Sequence, residues 1–390
     1  MYESMKNILF IIVALFLSVP VAFAQVAQKP ETTAKQAIIL DFETGEVLYD
    51  KNSDEKMPTS SMSKVLTTIV AYDAIREGKI KWEDELPVSQ RAWQEGGSAS
   101  GGSTMFLNLN STVKVSDLIK GIVIQSGNDA CIVIAEGIAG TEENFADLMN
   151  RKAKEIGMDN SHFMNSSGLP DPNHYSTARD LAKMAVYLIR EYPEDYKFYS
   201  EKEFVYNNIK QGNRNPLLYK TIGADGIKTG HTEVGGYGMI GSAVAAGRRI
   251  VMVINGTESM QARADEAEKL MKWAEVSFKN IDLVKKEAVI GKAPVVLGLA
   301  RDVSIVASKD LKATVSAFDK EPATMVANYK VPLTAPVKKG DPIGELVATL
   351  GNGTKLTSPL VAGEDVEEAS FFSRLSEKFM LMVVGAPKYQ

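Results

Sequence analysis

The chain has 390 residues, 45% hydrophobic and 24% charged, with a net charge of −5. That balance suits a soluble globular protein with room for one large domain and a smaller one. The acidic surplus argues against a nucleic-acid surface, and a single cysteine, Cys131, excludes an intrachain disulfide framework. The three histidines, His162, His174 and His231, lack metal-ligand spacing, so no metal or other cofactor is expected.

At the start, Lys6 precedes an uncharged apolar run over 8–17, Pro20 breaks it, and Ala22-Phe23-Ala24 offers a small-x-small cleavage site. Residues 1–24 therefore read as a signal peptide cleaved after Ala24, with the remainder exported. A spanning anchor is the rival, but the run is too short to cross comfortably. Residues 37–49 predict a hairpin whose acidic turn ends in Gly45. After Pro58, the apolar positions Met62, Val65, Leu66, Ile69 and Tyr72 recur at helical spacing up to Gly78, with Thr59 or Ser60 as cap. Ser61 and Lys64 stand three apart and so project from one face. A neutral lysine placed there takes the serine proton and makes a nucleophile. Ser53 and Lys56 repeat the spacing without the physics. Pro58 forbids a helix through them, and Asp54 and Glu55 would hold that lysine protonated.

Residues 94–104 form a Gly/Ser-rich loop, either a linker or the mobile rim of a site. Two apolar helices, over 115–124 and 130–138, flank the tight turn Ser126-Gly127-Asn128. Its polar side chains either cap helices or face a cleft. Cys131 reads as a small buried hydrophobe. A helix over 144–156 is followed by a loop over 165–175, rich in Gly, Pro, Asp and Asn. Ser176 or Thr177 caps the next helix, over 178–190. Residues 201–220 predict short extended segments, with a turn at Asn213-Arg214-Asn215. Residues 237–246 and 249–255 predict antiparallel strands turning at Gly247, with Lys228-Thr229-Gly230 on a neighbouring strand. There Lys228 either guards a sheet edge or serves a site, and Gly230 permits close approach of another chain or a ligand. A helix over 263–278 ends this part.

From about 283 the pattern changes to short strands, at 295–297, 303–307, 314–318 and 325–329, with a turn at 339–342. A β-sandwich over 283–365 is expected. Over 366–384, Phe371, Phe372, Leu375, Phe379, Met382 and Val383 fall on one helical face, opposite Ser373, Arg374, Glu377 and Lys378. Residues 366–390 thus read as an amphipathic helix lying on a membrane surface or docked on the protein.

Taken in order, Ser61-x-x-Lys64, Ser126-x-Asn128 and Lys228-Thr229-Gly230 form the motif set of penicillin-binding proteins and class A β-lactamases. Each piece is weak alone; the ordered set is strong. Residues from about 37 to 280 resemble the D-alanyl-D-alanine carboxypeptidases, the low-molecular-mass penicillin-binding proteins of the type-5 group. The stretches 58–64, 125–131, 175–180 and 225–232 carry the likeness. The resemblance implies an α+β fold: a penicillin-binding-protein/β-lactamase-like domain over 36–282, with an antiparallel sheet flanked by helices, then the β-rich domain and the membrane-binding helix. It implies that Ser61 attacks the carbonyl between two D-alanines of a peptidoglycan stem peptide, with Lys64 as base. Ser126 would relay a proton to the leaving amine, and Asn128 would hold the substrate amide. Lys228 and Thr229 would take the terminal carboxylate, helped by Arg214. The backbone N–H groups of Ser61 and His231 would form an oxyanion hole. Lys64 must be neutral to act, so burial and the nearby Lys228 are expected to lower its pKa. β-Lactams should acylate Ser61 as well. The penicilloyl adduct should hydrolyse slowly, since no Glu-x-x-Leu-Asn-type stretch supplies the base that class A β-lactamases use. A β-lactamase, a cross-link endopeptidase and a catalytically idle wall-binding protein are the alternatives. The site would work outside the cytoplasmic membrane, in the periplasm or at the membrane's outer face.

Overall fold

A computed structural model describes residues 28–319 and 322–384. The expected signal peptide, 1–24, lies outside the described residues. Strands β1 (Gln36–Asp41) and β2 (Val47–Lys51) form the first hairpin, closed at Gly45 with φ +75°. A 3₁₀ turn, Ser60–Ser63, leads into helix α1 (Lys64–Arg76). Helices α2 (Asn128–Ala139), α3 (Glu142–Ile156) and α4 (Ala178–Glu191) follow. Then come β3 (Ala224–Thr232), β4 (Gly236–Ala245), β5 (Arg248–Thr257) and α5 (Met260–Ser277).

The five strands make one antiparallel sheet in the order β2-β1-β5-β4-β3. Every residue of β1 is buried, which is why its sequence reads as a near-continuous apolar run rather than an alternation. Ile38, Leu40, Val251 and Val253 face the helical block built on α1, α2 and α4. Ile39, Met252 and Ile254 face α5, which returns Ala267, Leu270 and Met271. Each large aliphatic side chain buried this way contributes about 1.5–3 kcal/mol, so the sheet is pinned from both sides. The strand carrying Lys228, β3, is left at the sheet edge, beside α1.

Some local expectations differ. Neither Thr59 nor Ser60 caps α1: Thr59 bonds Ser63 Oγ at 2.6 Å, and Ser60 sits at φ +50°. Thr177 does cap α4, accepting from the Asp180 N–H. The expected turn at Asn213-Arg214-Asn215 is present, closed by the Asn215 N–H donating to Asn213 Oδ1 at 3.0 Å. A second turn, at Asn207 and Asn208, both at positive φ, joins strands Glu203–Tyr206 and Ile209–Gly212, as a two-residue hairpin requires. A π-helical turn, Gly121–Gln125, separates the helix Val115–Lys120 from the Ser126 turn and hands Ser126 a left-handed φ of +69°.

The second domain follows α5 without a linker. Its first strand, β6 (Phe278–Val284), precedes the compositional change at 283. Then come β7 (Val289–Val296), β8 (Asp302–Ala307), β9 (Leu311–Ser316), β10 (Thr324–Tyr329), β11 (Leu333–Thr334), β12 (Pro342–Thr349) and β13 (Lys355–Ala362). A two-stranded sheet, β6-β9, accompanies a six-stranded one in the order β10-β12-β13-β8-β7-β11. Val295, Ile305, Leu346 and Leu360 are central to their shared core. The first hairpin's turn holds this domain: Thr44 bonds Thr314 at 2.6 Å, Asn280 donates to Asp41 at 3.2 Å, and Glu43 pairs with Lys312. The last helix, α6 (Phe371–Val384), starts five residues later than the sequence pattern indicated.

Candidate active site

The 3₁₀ turn at Ser60–Ser63 delivers Ser61 and Lys64 at the start of α1. It is held from two sides by glycines. Gly230 of β3 lies so close that a Cβ there would stand 3.0 Å from Ser60 Cβ and from Thr59 O. Gly168, at φ +78°, lies closer still, and a Cβ would fall 1.9 Å from the Ser60 carbonyl oxygen. The sheet edge and the 165–175 loop therefore converge on the turn that carries the serine.

Lys64 is buried to 1% exposure. Its Nζ lies 2.9 Å from Ser61 Oγ, 2.7 Å from Asn128 Oδ1 and 2.6 Å from the Ser167 carbonyl. Asn128 Oδ1 and the carbonyl are acceptors only. A neutral amine has two N–H groups for those two oxygens, which leaves its lone pair for the Ser61 hydroxyl. Burial pulls the Lys64 pKa down to about 8. Arg214 adds to this fall, Cys131, Asp129 and Glu142 oppose it, and the mutual repulsion of Lys64 and Lys228 shows in the lowered pKa of Lys228. Lys228, buried to 3% exposure, is itself driven well below the usual lysine range by burial, by Lys64 and by Arg214.

Ser126 is 2% exposed, and its Oγ has no hydrogen-bond partner although it borders the cleft. A buried hydroxyl left unpaired costs free energy unless a bound group satisfies it. Thr229, Gly230 and His231 line the cleft along β3. The His231 ring is exposed and stacks on Tyr237 with centroids 3.9 Å apart. Arg214 borders the cleft and donates to Ser103 Oγ at 2.6 Å. Ser61, Lys64 and Asn128 thus meet directly. Ser126, Thr229, His231 and Arg214 line the same cleft of about 600 Å³. Lys228 is buried beneath it and donates to the Thr229 carbonyl at 3.2 Å.

Three residues escaped the reading of the sequence. Arg263, 5% exposed at the start of α5, lines the cleft beside Tyr237, and its Nε is unpaired. Asp129, fully buried, accepts from Thr104 Oγ1 and from the Met105, Leu107 and Ala130 N–H groups. It ties the Gly/Ser-rich segment to the Ser126 turn, so that segment is an anchored rim and not a linker. Glu142 accepts from Ser166 N at 2.9 Å and Oγ at 2.5 Å, and from Arg91 at 3.1 Å. It fixes the loop whose Ser167 carbonyl holds Lys64. Asp129 adjoins a recognisable motif; nothing in the sequence marks Arg263 or Glu142.

Residues 23–259 match the family described as D-alanyl-D-alanine carboxypeptidase. The chain belongs to that family. Residues 278–368 match the C-terminal domain of penicillin-binding protein 5. D-alanyl-D-alanine carboxypeptidase DacC of Escherichia coli is 37% identical over 374 residues, 94% of this chain and 93% of that protein. The crystal structure of penicillin-binding protein 5 from Haemophilus influenzae superposes with a TM-score of 0.80 at 35% identity, covering 87% of this chain and 99% of that one. Penicillin-binding protein D2 of Listeria monocytogenes, solved with cefotaxime bound, matches at TM-score 0.55 and 28% identity, over 63% of this chain and 98% of that one. The carboxypeptidase is a serine-type hydrolase of cell-wall peptide, as the resemblance implied. The expected α+β fold with a β-rich second domain and a final helix is the one observed.

Proposed function

We propose that Ser61 and Lys64 remove the terminal D-alanine from peptidoglycan stem pentapeptides through an acyl-enzyme. The observation that carries this reading is the setting of Lys64, whose Nζ meets two acceptors, Asn128 Oδ1 and the Ser167 carbonyl, and has Ser61 Oγ at 2.9 Å. Ser61 Oγ gives its proton to neutral Lys64 and attacks the carbonyl carbon of the penultimate D-alanine. The C–N bond breaks, and the leaving amine takes a proton by way of Ser126 Oγ. Water then cleaves the ester and restores the hydroxyl. Asn128 Nδ2, whose Oδ1 is occupied by Lys64, is free for the substrate amide carbonyl. The backbone N–H groups of Ser61 and His231 stabilise the oxyanion. Arg214 and Arg263 bring positive charge and Thr229 a hydroxyl to the cleft for the substrate carboxylate, with Lys228 buried beneath them.

A β-lactam acylates the same serine in this reading. Among the described residues no aspartate or glutamate lines the cleft, so in this reading the adduct lacks a carboxylate base and hydrolyses slowly. The working place is the exported, outer side of the cytoplasmic membrane, reached by the 1–24 leader and held by α6. Among the described residues no helix is long and apolar enough to cross a membrane. The exposed Phe371, Phe372, Leu375, Phe379 and Met382 instead suit a helix lying at the surface. The test is D-alanine release from a pentapeptide ending in D-Ala-D-Ala, with a mass measurement of the benzylpenicillin adduct. Ser61→Ala abolishes both; release that survives the substitution removes Ser61 from the mechanism.

A further inference from the structure

The two acceptors of Lys64 Nζ belong to different walls of the cleft. The Ser167 carbonyl lies on the 165–175 loop. Asn128 belongs with the rim over 96–104. Its N–H donates to the Ser103 carbonyl at 2.8 Å, and the Asp129 N–H donates to the Gly96 carbonyl at 3.2 Å. Lys64 can hold both acceptors only while the two walls keep a fixed separation.

One ion pair joins them. Glu142, the first residue of α3, is 5% exposed and divides its carboxylate between the walls. Its Oε1 accepts from Ser166 N at 2.9 Å and from Ser166 Oγ at 2.5 Å. The Ser166 carbonyl accepts from Thr67 Oγ1 of α1 at 2.5 Å, so this residue is tied on both sides, next to the carbonyl that holds Lys64. Glu142 Oε2 accepts from Arg91 Nη2 at 3.1 Å. Arg91 stands on the short helix Gln90–Glu95, which runs directly into the rim. Its other nitrogens donate to Glu95 at 3.1 Å and to Glu143 at 2.9 Å, which fixes the guanidinium plane. The end of that helix has no slack: a Cβ at Gly96 would stand 2.3 Å from Asp129 N. A carboxylate this buried is costly unless it is paired. An uncharged acceptor would serve Ser166 as well, so what the charge adds is the grip on Arg91.

We propose that the Arg91–Glu142 ion pair is a brace between the two walls of the cleft, and that both are positioning residues for Lys64. The inference rests on the roles proposed above for Ser61 and Lys64. The brace also carries charge. Glu142 favours the ammonium form of Lys64, as Cys131 and Asp129 do, against burial and the nearby cations Arg214 and Lys228. Arg91 offsets part of the Glu142 charge.

The test uses the whole chain. Benzylpenicillin acylation is followed by mass across pH, and amide hydrogen exchange is measured on the free protein. Glu142→Gln keeps an acceptor for Ser166 and removes the charge. Its inflection should move to lower pH, with the plateau within about twofold of the unsubstituted protein. Arg91→Ala leaves the carboxylate unpaired, and its inflection should move to higher pH. Glu142→Ala strands both Ser166 donors and should lower the plateau about tenfold or more, a loss that Glu142→Gln does not share. In Arg91→Ala and Glu142→Ala, exchange should quicken at 96–104 and 164–169 together. A purely structural role would not move the inflection in opposite directions from the two ends of one pair. If no variant and not the unsubstituted protein forms an adduct, the roles of Ser61 and Lys64 fail, and joint loosening of the two walls still supports the brace. Inflections that stay in place or move the same way, or exchange that quickens in one wall alone, overturn it.

Discussion

A buried ammonium loses the hydration that stabilises its charge, and Lys64 is drawn down to about 8 by that loss. The consequence is kinetic. With the neutral amine as the proposed base, roughly one molecule in ten is in the reactive form at pH 7. Acylation by benzylpenicillin should therefore rise about tenfold per pH unit below the inflection near pH 8 and level off above it. Arg214→Ala removes a cation that disfavours the charged form, so it should move the inflection upward. A profile flat from pH 6 to 9 would contradict Lys64 as base. His174 supplies a stability counterpart. Its Nδ1 accepts from the Met164 N–H at 3.2 Å, so its Nε2–H donates to Ser63 Oγ at 2.8 Å. Burial lowers its pKa from 6.5 to about 4. The unfolded chain therefore binds the proton first as pH falls. Stability should drop between pH 6.5 and 4, by up to about 3 kcal/mol from this group. His174→Asn keeps the acceptor toward Met164 and should flatten that part of the curve in denaturant titrations.

The elements matter through how closely they approach. The 165–175 loop reaches the Ser60 carbonyl only because Gly168 has no Cβ and holds φ +78°. Gly168→Ala meets both obstacles together. It should lower thermal stability by at least about 1 kcal/mol and slow acylation about tenfold or more, because the Ser167 carbonyl leaves Lys64 as the loop retreats. Unchanged acylation in a folded variant would show that the Ser167 contact is dispensable. The helix periods and the strands around Gly247 were legible from pattern alone, since apolar spacing reflects which face an element buries. The π-helical turn before Ser126 was not. Its extra residue is tolerated because the surrounding packing holds it, and packing partners distant in the chain leave no local mark.

At the level of the whole molecule, α6 shows its polar side to the second domain and its apolar side outward. Glu377 accepts from the Leu297 N–H at 3.1 Å and pairs with Arg301 at 2.9 Å, while Phe372 and Met382 are each 80% exposed. The two sequence-level alternatives for this helix, docked or membrane-bound, therefore do not compete: the docking uses the face that a membrane would not. Val366 is 3% exposed in the core of the β-rich domain and bonds with Val337, so a cut after Asp365 would damage that domain. Truncation after Ser370 is the cleaner test. It should move the protein from the membrane pellet to the soluble fraction with D-alanine release intact; continued pelleting would remove α6 as the anchor. The side-by-side placement of Ser61 and Lys64 was readable from the chain because a separation of three puts two side chains on one face of a helical turn, fixed by the backbone itself. The setting of that pair was decided by the fold. Asn128, Ser167 and the glycines of two other segments reach Lys64 and Ser60 across 64 to 170 positions of chain, and it is their enclosure that strips water from the lysine and lowers its pKa.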